Sequence, residues 1–226
     1  MIDFHTHTLL SDGVLIPAEH IRRAEVAGYR VLGISDHADL ATMDRIIETL
    51  REAARRENDR AEGIAVLVGV EFTHVRPRHI AEGVDRARRK GADLVIVHGQ
   101  TLAEPVEEGT NRAAIEAGAD ILAHPGLIGR DDAAAAAERG VMLEISAKAG
   151  HCLANGHVAA LAGPLGAELL FGSDAHAPEQ LVPEASARRI ASGAGLDEKA
   201  VDELFARAEA FARRLLDARG LGDRLA

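Results

Sequence analysis

The 226-residue chain has one cysteine, no tryptophan, one tyrosine and five phenylalanines. With Cys152 alone, no intrachain disulfide can form; a reducing, cytoplasmic setting is expected, and Cys152 reads as an inert buried thiol. An aromatic content of 3% leaves few platforms on which single-stranded bases could stack. Nowhere do about 18 uncharged apolar residues run together, so no membrane span is expected. The first residues have no basic segment ahead of a long apolar run, so no leader is expected either. Positive charge is also in deficit: 26 Lys and Arg against 36 Asp and Glu give a formal net charge of -10, which disfavours a long nucleic acid held on a broad basic face.

What is present is a 47% hydrophobic content distributed in short runs. These β-branched runs alternate with longer Ala/Arg/Glu-rich stretches of helical period, the βαβα order of a parallel sheet or barrel. Strands are expected at residues 1–4, 29–35, 64–70, 93–97, 120–123, 141–145 and 168–172. Helices are expected near 17–27, 43–57, 80–90, 106–117, 130–139 and 155–161, and the last 45 residues read as helical throughout, with Asp197 capping a final helix to about residue 218. Pro17 near a helix start and Gly28, Gly91, Gly118 and Gly140 just past helix ends punctuate the repeat. No low-complexity linker interrupts it, so residues 1–226 read as one α/β barrel domain.

Nearly every expected strand stops at a histidine or a carboxylate. The first leads into His5, His7 and then Asp12; the second ends at Asp36 and His37, the third at Glu71, the fourth at His98, the fifth at His124, the sixth near Glu144, and the seventh at Asp174 and His176. The C-terminal strand ends are where barrel active sites are built. His5 and His7 stand two apart on extended chain, so both imidazoles face the same way and can share one cation. Neutral imidazole together with carboxylate suits zinc, manganese or iron, and a carboxylate can bridge two ions; Glu71 is the candidate bridge. His20, His79 and His157 lie on or beside expected helices and read as surface residues, whereas His74 and His151 stay open between loop and mouth.

The segments HTHTLLSDG, ISDH, GVEFTH, VIVHG, LAHPG and GSDAH, in this order, resemble the successive motifs of the polymerase and histidinol phosphatase (PHP) family over about residues 1–180. The resemblance implies a distorted seven-stranded, TIM-like βα barrel with two or three divalent ions. It places His5, His7, Glu71 and Asp174 around the first ion, Glu71, His98 and His124 around the second, and Asp12, His37 and His176 around the third; some relatives carry histidine where this chain has Asp12. Three divalent ions would outweigh the carboxylates of Asp12, Glu71 and Asp174 and draw a phosphate dianion into an otherwise acidic protein. Hydroxide bridging two ions would then attack phosphorus in line, with Glu71, Asp174 and His176 as the catalytic set. Asp36 is expected either to orient a ligand histidine or to stand simply as a carboxylate behind the ligands, and Glu144 is expected behind them too, being also open to direct ligation. Arg76, Arg78, Arg130 and Lys148 follow strand ends and are candidates for gripping the phosphate.

The expected activity is hydrolysis of a small phosphomonoester, histidinol phosphate-like. A phosphodiesterase or exonuclease on short nucleotides is the alternative, followed by an amidohydrolase and a non-catalytic metal-binding barrel. Amidohydrolases share the paired histidines but usually place a bridging lysine or glutamate on strand four, which here ends at His98.

Overall fold

The longest strand explains the architecture. In the computed structural model, which describes residues 1–60 and 63–225, all eight residues of Ala65–Phe72 are buried. A strand covered on both faces belongs to a parallel sheet with helices packed outside it. The strands are β1 (Ile2–Asp3), β2 (Val31–Ile34), β3 (His37–Ala38), β4 (Ala65–Phe72), β5 (Leu94–His98), β6 (Ile121–Ala123), β7 (Met142–Ser146) and β8 (Leu169–Gly172). Seven of them pair in parallel in the order β1-β2-β4-β5-β6-β7-β8. The ring is drawn together just past its two outer strands, where Thr6 bridges Ala175 in parallel, His7 N donates to Ala175 O at 2.9 Å and Asp174 N donates to His5 O at 2.9 Å. This is the expected seven-stranded TIM-like barrel.

β3 is an addition to the expected set. It pairs with β4 alone, with His37 opposite Glu71, because β4 runs past residue 70 and carries Glu71 into the sheet.

Side chains alternate between two cores, as period two requires. Ile2, Phe4, Val31, Leu67, Leu94 and Ile96 join one cluster, completed by Phe211 and Leu216 of the last long helix, Glu198–Ala218. Phe4 and Phe211 meet with ring centroids 4.8 Å apart. The alternate residues, Leu32, Val66, Val68, Val95 and Leu143 among them, pack outward against the helices α1 (Pro17–Val26), α2 (Met43–Asn58), α3 (Pro77–Lys90), α4 (Thr110–Glu116), α5 (Arg130–Arg139), α6 (Asn155–Leu165), α7 (Glu184–Gly193) and α8 (Glu198–Ala218).

Several expectations shift. α3 begins at Pro77, whose fixed φ suits a first helical turn; α4 begins only at Thr110, after Gly109 at φ 90°; α6 continues to Leu165. The last helix stands as expected: after α7 and Gly195 at φ 94°, Asp197 accepts a hydrogen bond from Ala200 N at 2.8 Å to start α8, which runs to Ala218. Residue 226 lies outside the described residues. Cys152 is half-buried, not buried, and His20, expected at the surface, is fully buried. Among the described residues no helix is long and apolar enough to cross a membrane.

Candidate metal centre at the barrel mouth

Loop anchoring brings the strand-end residues together. Asp36 accepts hydrogen bonds from Thr8 N, Thr8 Oγ1 and Ser11 Oγ, each at 2.7 Å. It therefore ties down the loop that carries Asp12. Asp3 accepts from His5 N at 3.1 Å and Ser173 N at 3.3 Å, fastening the chain after β1 to that after β8. Gly13 lets the loop fold back on itself, since a Cβ there would stand 2.5 Å from His7 O.

Four overlapping groups result, each with ligand atoms within 4.8 Å of one another: His5, His7 and Glu71; His7, Asp12, His37 and His176; His98, His124 and His151; and His5, His124 and Glu144. Glu71 stands between them. One of its oxygens, Oε2, lies 3.3 Å from His5 Nε2, 3.6 Å from His7 Nε2 and 2.6 Å from His37 Nδ1, while Oε1 lies 3.4 Å from His124 Nε2. Asp174 Oδ1 is 3.2 Å from His7 Nε2, and Asp12 Oδ1 is 3.1 Å from His176 Nε2 and 3.5 Å from His37 Nε2.

These atoms fit divalent cations. Seven of them are buried without a hydrogen-bond partner: His5 Nε2, His7 Nδ1 and Nε2, both Glu71 oxygens, His124 Nδ1 and Asp174 Oδ1. Each such atom costs roughly 1–3 kcal/mol if nothing binds it. Ligands about 2.0–2.2 Å from one ion stand about 3.0–3.5 Å apart in octahedral or tetrahedral shells, which is the spacing of the His5–Glu71 and His7–Asp174 contacts, 3.3 and 3.2 Å.

Protonation divides the donors: against burial, the surrounding carboxylates draw a proton toward His5 and His37, which an ion would displace, while His7 and the carboxylates already hold the form a ligand needs. Burial pushes His7 down to about 3, against the pull of Asp174, and so keeps its imidazole neutral. Burial opposes charge on Glu71, but His5 and His37 overcome it and hold the carboxyl well below its usual range. Asp12, opposed by burial and drawn by His176 and His37, falls to about 2.

Glu144 uses both oxygens behind the cluster. Oε1 lies 2.6 Å from His5 Nδ1, and Oε2 accepts from His124 N at 3.0 Å. That leaves His5 Nε2 facing the pocket, as a carboxylate behind a ligand histidine does. Gly172 makes the room, because any Cβ there would collide with Glu144 Oε1. Among the described non-glycine residues, positive φ occurs at His74 (54°), His124 (28°) and Asp174 (53°). Such backbone costs about 1–3 kcal/mol per residue and clusters at functional sites.

Of the residues expected to grip phosphate, Lys148 reaches the cluster: its Nζ stands 2.6 Å from His176 Nδ1 and donates to Asp174 O at 3.2 Å. The arginines stay outside. Arg76 is 69% exposed and pairs with Glu107 at 2.6 Å, Arg78 donates to His79 at 3.0 Å, and Arg130 is exposed at the start of α5. All three sit at helix starts, where the first turn points outward.

Two residues escaped the strand-end reading. His151 stacks on His124 with ring centroids 4.1 Å apart and is fixed by Thr101, whose Oγ1 lies 2.7 Å from its Nδ1. Glu104 lies 3.0 Å from His74 Nε2, 3.3 Å from His98 Nε2 and 3.5 Å from His151 Nε2. Both stand several residues beyond a strand end, on loops that fold back over the mouth. His157 donates outside the cluster, to Ile128 O at 2.8 Å.

A family profile described as PHP domain matches residues 3–116. An uncharacterised protein of Methanocaldococcus jannaschii is 43% identical over 201 residues, covering 88% of this chain and 92% of that one. The barrel superposes on a chain of an archaeal ribonuclease P solved with mature tRNA, with a TM-score of 0.68 at 18% identity over 96% of this chain and 90% of that one. It also superposes on the histidinol phosphate phosphatase of Lactococcus lactis, solved with zinc, L-histidinol and phosphate, with a TM-score of 0.59 at 16% identity over 87% and 94%. The two superpositions establish the fold; the profile, running from β1 through α4, adds the lineage, and the chain belongs to the PHP family.

Proposed function

We propose that this protein is a metal-dependent phosphoesterase that hydrolyses a small phosphomonoester. The observation that carries the reading is the convergence of seven unpaired buried nitrogen and oxygen atoms, from His5, His7, Glu71, His124 and Asp174, at the barrel mouth. Family membership supports it. His5, His7, Glu71 and Asp174 would hold one ion, Glu71, His98 and His124 a second with His151 beside them, and Asp12, His37 and His176 a third with His7 adjacent. Zinc, manganese and iron all suit this donor set. Such ions supply Lewis acidity and a water of lowered pKa when bound.

The chain's own groups prepare the rest. Glu144 orients His5, and Asp36 holds the loop of Asp12 in place. Lys148 offers an ammonium beside His176 and Asp174, where it can meet a phosphate oxygen. The ligands solved in the Lactococcus lactis phosphatase, L-histidinol and phosphate, make an amino-alcohol phosphate of that size a reasonable first substrate.

The test is turnover of p-nitrophenyl phosphate and bis(p-nitrophenyl) phosphate by metal-stripped protein reloaded with zinc, manganese or iron. Monoester hydrolysis that chelation abolishes and metal restores is expected. Hydrolysis of the diester alone would turn the reading to a phosphodiesterase on short nucleotides, and no turnover with any ion would overturn it.

A further inference from the structure

Scattered exposed leucines are ordinary on a folded protein; gathered ones mark a contact surface. Among the described residues the exposed large apolar side chains are Leu9, Val14, Ile16, Val26, Leu102, Leu127 and Leu153. All but Val26 lie on loops that leave the C-terminal ends of strands. Each of these is also a sequence neighbour of the cluster. Leu9 follows His7 by two residues and Leu153 follows His151 by two; Leu102 adjoins Thr101, which fixes His151; Leu127 stands three after His124. Val14 donates its backbone N–H to His176 O at 2.8 Å. The loops that carry the polar cluster therefore also carry aliphatic side chains that are 53–71% exposed.

We infer that the site takes phosphate esters whose alcohol portion is aliphatic and carries no negative charge, and that this portion lies on the rim while the phosphate enters the pocket. The inference rests on the phosphoesterase reading and narrows its substrate class. Charge argues against an anionic body: Lys148 already faces the cluster, and Arg76 is held by Glu107. Glu104, 38% exposed, would repel a second anionic group at the mouth. Ring chemistry argues against a nucleoside. Phe4, Phe72, Phe171 and Phe211 are buried, as is Tyr29, and Phe205 lies on α8 under Arg188, so among the described residues no phenyl or phenol face is offered to a base at the rim, where His74, 42% exposed, presents only an imidazole.

Three aryl phosphates with phenols of similar acidity separate the tail from the chemistry: phenyl phosphate, 4-butylphenyl phosphate and 4-carboxyphenyl phosphate. With metal-loaded protein, kcat/KM for the butyl ester should exceed that for the phenyl ester at least about tenfold, the carboxylate ester falling below both. The triple variant Leu102→Ser, Leu127→Ser, Leu153→Ser, whose changes are all at exposed positions, should bring the butyl-to-phenyl ratio close to one, whereas Val26→Ser, away from the mouth, should leave the ratio alone. Calorimetric titration with phenylphosphonate and 4-butylphenylphosphonate should give the same order without turnover. Equal values for the butyl and phenyl esters, or a ratio that survives the triple variant, overturns the inference. So does a dimer that the triple variant dissociates while the ratio stays put, which would make the rim a self-association surface. Phosphonates that bind with the tail preference, beside esters that no ion hydrolyses, would overturn the hydrolytic reading and leave the rim's preference standing.

Discussion

The two ends of the barrel treat polar groups in opposite ways. At the N-terminal end, beside the starts of β4 and β5, a groove of about 850 Å³ is lined by Arg51, Arg55, Lys90, Asp93 and Arg219 among others, and its charges are occupied with each other. Arg219 pairs with Asp93 and donates to Gly91 O at 2.7 Å; Arg51 donates to Lys90 O at 3.0 Å; Lys90 meets Asp44 at 2.8 Å. At the C-terminal end, buried imidazoles and carboxylates face one another unpaired, two of them on left-handed backbone. A roomy groove is no guide to the site when its charges already have partners. Unsatisfied polarity and strain, which a protein keeps only where something else compensates, select the mouth.

The largest expected effect breaks this contrast at its centre. Glu71→Gln keeps the shape and removes the charge on which the His5, His7, His37 and His124 contacts converge. Phosphoester hydrolysis should fall by about 10³-fold or more. In metal-free protein the same change should lower the melting temperature, because His5 and His37, which hold the buried carboxylate ionised, lose the charge that faces them. Calorimetric melting of the stripped proteins checks it. An unchanged or raised melting temperature would mean that the histidines do not hold Glu71 ionised when no metal is bound.

A smaller effect should follow from the carboxylate behind the ligands. Glu144→Gln loosens His5 and His124 together and should weaken metal affinity by about 10–100-fold, read by chelator competition. Gly172→Ala should produce a loss of the same kind, since its Cβ would displace the Glu144 carboxylate. The double variant should then be little worse than either single one. Additive losses would mean that Gly172 acts on the site by another route.

Much of this was legible from residues alone, for a physical reason. Parallel strands buried on both faces read as apolar runs, and a side chain at a strand end is anchored by the ladder beneath it, so the gathering of His5, Glu71, His98 and His124 at the mouth could be read from periodicity. The βαβα repeat likewise carried the barrel and its seven principal strands. What stayed hidden depends on chain that has left the ladder. Glu104 and His151 reach back over the mouth through loop geometry, and the outward turn of Arg76 and Arg78 depends on where α3 begins. β3 formed because β4 ran two residues longer than its apolar run.

His20 was misread for a related reason: its helical face looked solvated, yet it is buried with neither ring nitrogen paired. Burial, with the nearby His176 charge adding to it, pushes it down to about 4 from an ordinary value of 6.5. The unfolded chain therefore binds the extra proton first, and native stability falls as pH drops from 6.5 toward 4. The linkage amounts to about 3 kcal/mol at most. His20→Leu should gain stability over the parent progressively across that window, measured by urea unfolding at several pH values. A difference that does not change with pH would mean that His20 is already protonated in the fold.

The smallest effect is reserved for the satisfied end. Arg219→Ala removes the partner of Asp93, whose side chain is 7% exposed and whose other oxygen still accepts from Val68 N at 2.8 Å. One remaining hydrogen bond keeps the carboxylate anchored, so the loss should be about 1–2 kcal/mol of stability. Because Arg219 lies at the end of the barrel away from the mouth, kcat/KM should stay within about twofold of the parent. Equilibrium unfolding and steady-state kinetics on the same preparation separate the two quantities. If activity fell while stability held, the groove would be coupled to the mouth through the sheet, and the division between a paired end and an unpaired end would no longer describe how this barrel works.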